Sequence, residues 1–159
     1  MKKKIQKTNA MRILDKAKLD YTVHEYECDG FLEGEGVARQ LGEDMAHVFK
    51  TIVTVGNNRE HYVVMLPVDK EIDFKRVAKL FGVKSVEMIK VDMLTAITGY
   101  VRGGCSPIGM KKQFPTVIDA SLDMSDKVIF SGGRLGMQIE MCYGDLVGLI
   151  HAKVENITM

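Results

Sequence analysis

One pair of apolar segments limits the folds open to this chain more than any other feature. Residues 48–55 are β-branched and apolar, and residues 61–66 are again strand-like. The Gly-Asn-Asn run at 56–58 between them is rich in residues that tight turns prefer. The pattern predicts a β-hairpin. Both faces of its first strand are largely apolar, which is typical of a central strand that is covered on both sides.

Helices and short strands are mixed around this hairpin without a strict βαβ rhythm. Helices are predicted at 8–18, 35–41, 73–81 and about 90–98, with Gly42 and Gly82 as stops. Further strands are predicted at 21–27, 116–118, 127–130, 137–141 and 152–154, with a last helical turn at 144–149. We therefore expect an α+β protein with a mixed, curved β-sheet flanked by helices.

Length and composition set the class of protein. The 159 residues predict one domain spanning 1–159, and a hydrophobic content of 46% suits a packed core. The apolar stretches are far shorter than the roughly 20 residues of a membrane span, and the basic amino terminus lacks the apolar region of a secretory signal. Three scattered cysteines predict a reducing, cytoplasmic environment rather than a disulfide framework.

The charge is balanced overall but unevenly distributed. The net charge is +1, yet residues 1–18 hold seven basic residues against one acid, which leaves −5 for the rest. A basic segment of this kind can contact phosphates, or it can be a solvated terminus. Arg102, Lys111, Lys112 and Arg134 also lie within or beside two glycine-rich segments, at 99–109 and 131–136.

Lys50 stands out within the first strand of the hairpin. It shares a face with Val48, Ile52 and Thr54, where a charged group is costly unless it reaches a partner or a cleft. The alternative is a lysine whose long stem carries the ammonium to the rim of the protein. The pattern leaves both interpretations open.

The two glycine-rich segments are the second unusual feature. They are GYVRGGCSPIG at 99–109 and SGGRLG at 131–136. Glycine allows a positive φ and a close approach to a ligand, and exposed backbone amides can bind an anion or an oxyanion. Neither segment has the spacing and residues of a nucleotide fingerprint. Two such loops in one small domain favour a site lined by backbone.

Cys105, in the first glycine segment, raises the question of a nucleophilic thiol. No histidine stands in a recognisable signature with it, so a small residue filling a turn is the favoured interpretation. The four histidines lack metal-binding spacing, and we expect neither a metal nor a cofactor.

Three motifs together carry a resemblance to a known family. VFKT at 48–51, TGYVRGGCSPIGMKK at 98–112 and SGGRLGMQIE at 131–140 resemble the YbaK/EbsC family of free-standing aminoacyl-tRNA deacylases. This family is related to the editing domain of bacterial prolyl-tRNA synthetases. The resemblance covers nearly the whole chain and implies an α+β domain with a mixed, barrel-like sheet.

The resemblance also implies a set of site residues. It assigns Lys50 as the invariant lysine, and the backbone of Gly103 and Gly104 as the part that holds the aminoacyl ester. The substrate-binding positions that it implies are Tyr26, Phe31, Thr51, Ser106, Pro107, Ser131, Gly132 and Asp145. Asp145, in GDL, matches a frequent family position, whereas Phe31 lies in the loop at 29–34 that matches the family pattern least directly.

The implied activity is removal of a mischarged amino acid from tRNA. Cysteine on tRNA(Pro) is the favoured substrate, and the thiol of the substrate would attack its own ester. The acceptor end of tRNA is the expected partner, with prolyl-tRNA synthetase as a second one. Three alternatives stay open: an Ala-tRNA(Pro) deacylase, a non-catalytic binding module of the same fold, and a hydrolase that uses Cys105.

Overall fold

The secondary structure follows the predicted α+β pattern. The structure is a computed structural model that describes residues 6–28 and 32–159. In chain order the elements are α1 (Asn9–Ala17), β1 (Tyr21–Glu25), α2 (Gly34–Leu41), β2 (Phe49–Gly56), β3 (His61–Pro67), α3 (Phe74–Phe81), β4 (Val86–Met88), a 3₁₀ turn (Val91–Met93), α4 (Leu94–Thr98), β5 (Thr116–Asp119), β6 (Lys127–Ser131), β7 (Met137–Cys142), α5 (Tyr143–Ile150) and β8 (Lys153–Glu155).

Local sequence signals explain where the helices begin and end. The Thr8 side chain accepts a hydrogen bond from the Met11 amide, and Asp73 caps α3 in the same way. Gly42 and Gly82 adopt the left-handed conformation that ends α2 and α3, as predicted. The predicted helix at 90–98 is instead a 3₁₀ turn followed by the short α4.

The strands form two sheets. One is antiparallel with the order β1-β7-β6, and the other is mixed with the order β4-β2-β3-β5-β8. A parallel bridge between Val48, the residue before β2, and Ile129 of β6 connects the two sheets. The mixed α+β class is thus confirmed, with two sheets where one curved sheet was predicted. Strand β4, which sequence analysis did not predict, covers the outer end of β2.

The hairpin is central, as its apolar faces predicted. β2 pairs with β3 from Phe49–Pro67 to Val55–His61, and lies between β4 and β3 in the larger sheet. The main core packs α1 and α5 against β6 and β7, with Leu14, Phe130, Ile139 and Leu146 fully buried. Within residues 6–28 and 32–159, no helix has both the length and the apolar character needed to cross a membrane.

Candidate functional site

A cavity opens where the two sheets separate. β6 meets β2 at Val48–Ile129, and β4 pairs with β2 only over Thr54–Gly56. The stretch of β2 between these pairings therefore has one edge that no strand covers in the described part of the chain. The cavity at this edge has a volume of about 440 Å³.

Four segments line this cavity. They are β2 with its flanking residues (Val48, Phe49, Lys50, Thr51, Ile52, Val53), the start of α2 (Leu32, Glu33, Gly34, Glu35, Val37) with Val68, the β4–α4 segment (Met88, Ile89, Val91, Leu94), and the glycine loops with β7 (Arg102, Gly103, Cys105, Ser131, Gln138). Residues far apart in the chain therefore converge on one site.

Lys50 is the second residue of β2 and lines this cavity. Lys50 is half-buried and lines the cleft rather than lying in the core. Among the residues that the structure describes, no carboxylate lies within 4.0 Å of Lys50 Nζ. An ammonium that is partly shielded from water and not paired within the protein can bind an anionic or carbonyl group of a ligand.

Thr51 has its backbone groups at the uncovered edge and is part of the cavity wall. The Val68 amide donates to the Val48 carbonyl (2.9 Å), so in the antiparallel register the even-numbered residues of β2 bond to β3. The backbone groups of Thr51 therefore point away from β3. Its Oγ1 is buried without a hydrogen-bond partner in the described part of the chain. An unsatisfied buried hydroxyl at a cavity wall is a hydrogen-bonding position for a ligand.

The two glycine loops pack against each other at one side of the cavity. Gly103 lines the cavity with a φ of 81°, a conformation that favours glycine. The Gly104 amide donates to the Val101 carbonyl (2.9 Å), so it closes a turn within the loop. Gly104 is buried and lies against Arg134, where a Cβ would come 2.9 Å from the Arg134 Cα. Of these two glycines, the cavity lining includes only Gly103.

Ser106 and Pro107 shape the first loop from behind the cavity. Both are buried, and neither lines the cavity. Ser106 Oγ accepts a hydrogen bond from the Ile108 amide (3.2 Å), and the Tyr100 hydroxyl donates to the Ile108 carbonyl (2.5 Å). These bonds fix the loop that carries Gly103.

The second loop contributes Ser131 to the cavity. Ser131 is half-buried, and its Oγ accepts from the Gly133 amide (3.3 Å). Gly132 is buried and does not line the cavity. Its carbonyl accepts a hydrogen bond from the Thr8 hydroxyl (2.5 Å), which ties the loop to the start of α1. Gly132 therefore supports the site rather than facing it.

Tyr26 lies one layer behind the cavity wall. Its side chain is buried, and burial raises the pKa of its phenol, a shift that interactions with Gly136 and Gln138 oppose. The Tyr26 backbone amide donates to the Gly136 carbonyl (2.9 Å). Gln138 in turn lines the cavity. Tyr26 can thus position Gln138 without lining the cavity itself.

Asp145 and Phe31 are the two remaining substrate-binding positions of the prediction. Asp145 is exposed in the first turn of α5 and is absent from the cavity lining. A carboxylate there interacts favourably with the amino-terminal end of the helix dipole. Phe31 lies outside the residues that the structure describes.

Cys105 is placed in the cavity wall but is poorly suited to attack. Burial raises the pKa of its thiol to about 12, although a hydrogen bond with Thr98 opposes this shift. At neutral pH the group is a thiol, and the thiolate is the nucleophilic form. No histidine is among the residues that line the cavity in the described part of the chain. This geometry agrees with Cys105 as a packing residue.

Sequence reasoning missed several lining residues that carry charge or polarity. Gln138 is a buried polar residue within the apolar strand MQIEMC, which is the same kind of signal that drew attention to Lys50. Glu33 and Glu35 line the cavity from the start of α2, and no local pattern distinguishes them from solvated charges. Arg102, which the sequence had marked as a basic residue within the first glycine segment, also lines the cavity.

The architecture and this cavity define a class of protein. Residues 33–149 match the family model for the aminoacyl-tRNA editing domain, so the chain belongs to that family. A protein of Enterococcus faecalis strain V583 is 44% identical over 158 residues, which cover 99% of this chain and 96% of that protein. It is named "Putative Cys-tRNA(Pro)/Cys-tRNA(Cys) deacylase EbsC".

Solved structures support the same fold. The structure of "hypothetical protein APE2540" is 24% identical, with a TM-score of 0.85 over 96% of this chain and 100% of that one. A structure described as "a putative trans-editing enzyme for prolyl tRNA synthetase" is 20% identical, with a TM-score of 0.81 over 98% of this chain and 99% of that one. The predicted family, fold class and enzyme class, a deacylase that edits aminoacyl-tRNA, are therefore confirmed.

Proposed function

We propose that this protein is a trans-editing deacylase that removes cysteine from mischarged tRNA(Pro), with Lys50, Thr51, Gly103 and Ser131 forming its site. The observation that carries the proposal is the position of Lys50. Its ammonium has no carboxylate partner in the described structure and lies at a cavity that also contains Gly103. The name of the Enterococcus relative supports cysteine as the amino acid.

The charges around the cavity match the two ends of an aminoacyl ester. Lys50 and Arg102 offer positive charge for the terminal phosphate or the ester region of the tRNA. Glu33 and Glu35 offer negative charge for the α-ammonium group of the amino acid. A ligand that carries both signs can therefore be oriented in one direction. Orientation of this kind is a large part of catalysis for a reaction within one molecule.

The reaction that we propose begins with the thiol of the bound cysteine. The sulfur attacks the ester carbonyl carbon, a C–S bond forms, and negative charge develops on the carbonyl oxygen. The C–O bond to the ribose then breaks, and the ribose oxygen takes the proton that the thiol loses. The products are a cyclic thioester of cysteine and deacylated tRNA.

The protein assists this reaction by stabilising charge. In this mechanism the Gly103 amide faces the developing oxyanion, and Lys50 holds the substrate in place. One well-positioned donor to an oxyanion contributes about 3 kcal/mol, or 10²–10³ in rate. This assistance is sufficient for an ester that is already activated, so a base from the protein is not required.

Alanine on tRNA(Pro) is the competing substrate. A cavity that admits a thiol also admits a methyl group, and such differences contribute only about 1–3 kcal/mol to discrimination. The thiol-dependent reaction adds a second level of selection, since alanine has no nucleophile. We therefore expect cysteine to be cleaved much faster than alanine, even where binding is similar.

Prolyl-tRNA synthetase is the partner that we propose for substrate delivery. Support comes from the description of the structural relative as a trans-editing enzyme for that synthetase. A domain of this size has little surface for reading a tRNA, so a synthetase that holds tRNA(Pro) would supply the specificity. We propose that the whole chain acts as one domain in the cytoplasm, where tRNA charging takes place.

The decisive experiment follows deacylation of Cys-tRNA(Pro), Ala-tRNA(Pro) and Cys-tRNA(Cys) in time, with and without prolyl-tRNA synthetase. We expect both cysteinyl-tRNAs to be deacylated and Ala-tRNA(Pro) to keep its alanine. Addition of the synthetase should favour Cys-tRNA(Pro). Faster cleavage of alanine would contradict the thiol mechanism, and no cleavage of any substrate would favour a binding module.

A further inference from the structure

A second cluster of polar side chains lies next to the cavity lining but is not part of it. It consists of His24 on β1, Glu43 just after α2, and Glu140 on β7. His24 Nε2 is 2.7 Å from Glu140 Oε1, and one ligand atom from each residue lies within 4.8 Å of the others. All three side chains are partly buried. None of them lines the cavity, although His24 lies opposite Gln138, which does.

Within the described residues, neither lysine nor arginine balances the charges of this cluster. Two carboxylates converge on one imidazole, and no lysine or arginine nitrogen in residues 6–28 and 32–159 lies within 4.0 Å of either carboxylate. Like charges held together in partial burial repel each other and attract a cation. The register places Thr22 opposite Glu140 and His24 opposite Gln138, so the imidazole and the Glu140 carboxylate share one face of the sheet.

We propose that His24, Glu43 and Glu140 form a structural binding site for a divalent transition-metal ion of the zinc type. One imidazole nitrogen and two carboxylate oxygens are donors that Zn²⁺ accepts, with water completing the coordination. Imidazole ligation distinguishes such a site from the oxygen-only sites that Mg²⁺ prefers. This inference does not depend on the proposed function.

To admit the ion, His24 and Glu140 must separate slightly, and Glu43 must approach from its position within 4.8 Å of both. Ligand atoms about 2.0–2.1 Å from a tetrahedral ion are roughly 3.3 Å apart. His24 Nε2 and Glu140 Oε1 are 2.7 Å apart, so they would separate by about half an ångström. The ion would take the place of the proton shared by these two atoms, and that proton would be released to solvent.

The ion would fasten α2 to the three-stranded sheet. Glu43 follows the carboxyl end of α2, whereas His24 and Glu140 belong to adjacent strands of the sheet. The amino end of α2 contributes Gly34 and Glu35 to the cavity. A metal at the other end of the helix would therefore hold the cavity wall in place without touching the substrate.

The test uses the full-length protein, freed of metal by a chelator and titrated with Zn²⁺, Co²⁺ or Mg²⁺. We expect one Zn²⁺ per chain by calorimetry and a rise in Tm of about 5–10 °C at a hundredfold excess over Kd. Mg²⁺ should give no comparable shift. The visible spectrum of the Co²⁺ complex should show nitrogen and oxygen ligation, without the charge-transfer band of a thiolate.

Two variants separate a metal site from an ordinary polar cluster. Glu43→Gln should reduce the zinc-dependent rise in Tm to less than about 2 °C. Without metal, the Tm of this variant should equal or exceed that of the wild type, because one of two repelling charges is removed. Glu25→Gln, an exposed neighbour on β1, is the matched control and should keep the full response. Absence of saturable zinc binding, a thiolate band, or a full response in Glu43→Gln would overturn the proposal.

Discussion

Gly104 and Arg134 bring the two glycine loops into backbone contact. A Cβ on Gly104 would lie 2.9 Å from the Arg134 Cα and 3.1 Å from the Leu135 nitrogen. These are backbone atoms, which cannot move aside as the end of a side chain can. The close approach thus sets the separation of the loops that carry Gly103 and Ser131, and through it the width of the cavity.

Gly104→Ala is expected to disturb both stability and activity. Overpacking at a tight backbone contact typically costs about 1–3 kcal/mol in the free energy of unfolding, and the loops must separate. Urea unfolding and deacylation kinetics measure the two effects. Gly148→Ala in α5 is the matched control, because nothing lies within 4 Å of its added Cβ. That change should stabilise the helix by about 0.5–1 kcal/mol with unchanged kinetics. Equal effects from the two substitutions would contradict the role of this close approach.

Lys50→Ala is expected to reduce deacylation at least a hundredfold while the fold is retained. The reason is that the substrate is deprived of an electrostatic partner in a partly shielded cavity, an effect of roughly 10²–10³ in rate. Single-turnover rates measure the effect, and circular dichroism checks the fold. Lys127→Ala, which removes an exposed lysine from β6, should leave the rate unchanged. Near wild-type turnover in folded Lys50→Ala would remove this residue from the mechanism.

Thr51→Val is expected to separate stability from activity. Removal of an unsatisfied buried hydroxyl should leave the free energy of unfolding unchanged or raise it by up to about 1 kcal/mol. Deacylation should fall, because the substrate loses a hydrogen-bond partner. The matched control is Thr54→Val on the same strand, where Oγ1 donates to the Tyr62 carbonyl (2.8 Å).

Thr54→Val should instead lower the free energy of unfolding by about 1 kcal/mol. Its kcat and KM should equal those of the wild type. Denaturant unfolding and steady-state kinetics on both variants provide the comparison. If Thr51→Val loses as much stability as Thr54→Val, its hydroxyl has a partner in the protein after all.

Cys105→Ala is expected to retain most of the activity and to change the pH dependence of stability. Burial raises the pKa of this thiol to about 12 from an ordinary value of 9.0. Above pH 9 the unfolded state therefore loses a proton that the folded state keeps, so stability falls as the pH rises towards 12. Each pH unit above the pKa of the unfolded thiol lowers the free energy of unfolding by about 1.4 kcal/mol.

The measurement compares the free energy of unfolding at about pH 7.5 and about pH 10. Over this interval the free energy of unfolding should fall by about 1 kcal/mol more in the wild type than in Cys105→Ala. Burial also raises the pKa of Tyr100 and Tyr143 to about 12, but the ordinary value for tyrosine is 10.0, so their contribution develops mainly above pH 10. An inactive but folded Cys105→Ala would restore the nucleophile interpretation.

Neutralising Lys111 and Lys112 together is expected to raise KM with little change in kcat. Both lysines are exposed beside the first glycine loop, and Lys112 Nζ lies 5.9 Å from the centre of the Phe114 ring. If they bind phosphates of the acceptor end, the slope of log KM against log salt concentration should decrease by about one unit for each phosphate that is no longer bound. Steady-state kinetics at two salt concentrations measure this.

A double change of Lys75 and Lys79 to alanine on α3 is the control for nonspecific charge effects. These two exposed lysines lie on an element that contributes nothing to the cavity lining. An unchanged KM and salt slope in the Lys111/Lys112 variant would instead favour delivery of the substrate by a synthetase.

The sequence determined the elements that depend on neighbouring residues. Thr8, Asp73, Gly42 and Gly82 act within one turn of their own helices, so their caps could be predicted from local chemistry. The β2–β3 hairpin could be predicted for the same reason, since its two strands and turn are contiguous. Lys50 was recognisable as a candidate site residue because a charge in an apolar strand is costly wherever that strand lies.

Only the tertiary structure decided which residues face the cavity. Gly103 and Gly104 are adjacent and chemically identical, yet the packing of one loop on Arg134 leaves Gly103 at the cavity and buries Gly104. Asp145 is absent from that lining because the first turn of α5 directs it to solvent. The convergence of His24, Glu43 and Glu140 likewise depends on the pairing of β1 with β7 and on the seating of α2. Long-range pairings of this kind leave no periodic trace in the sequence, because His24 and Glu140 are separated by 116 positions along the chain.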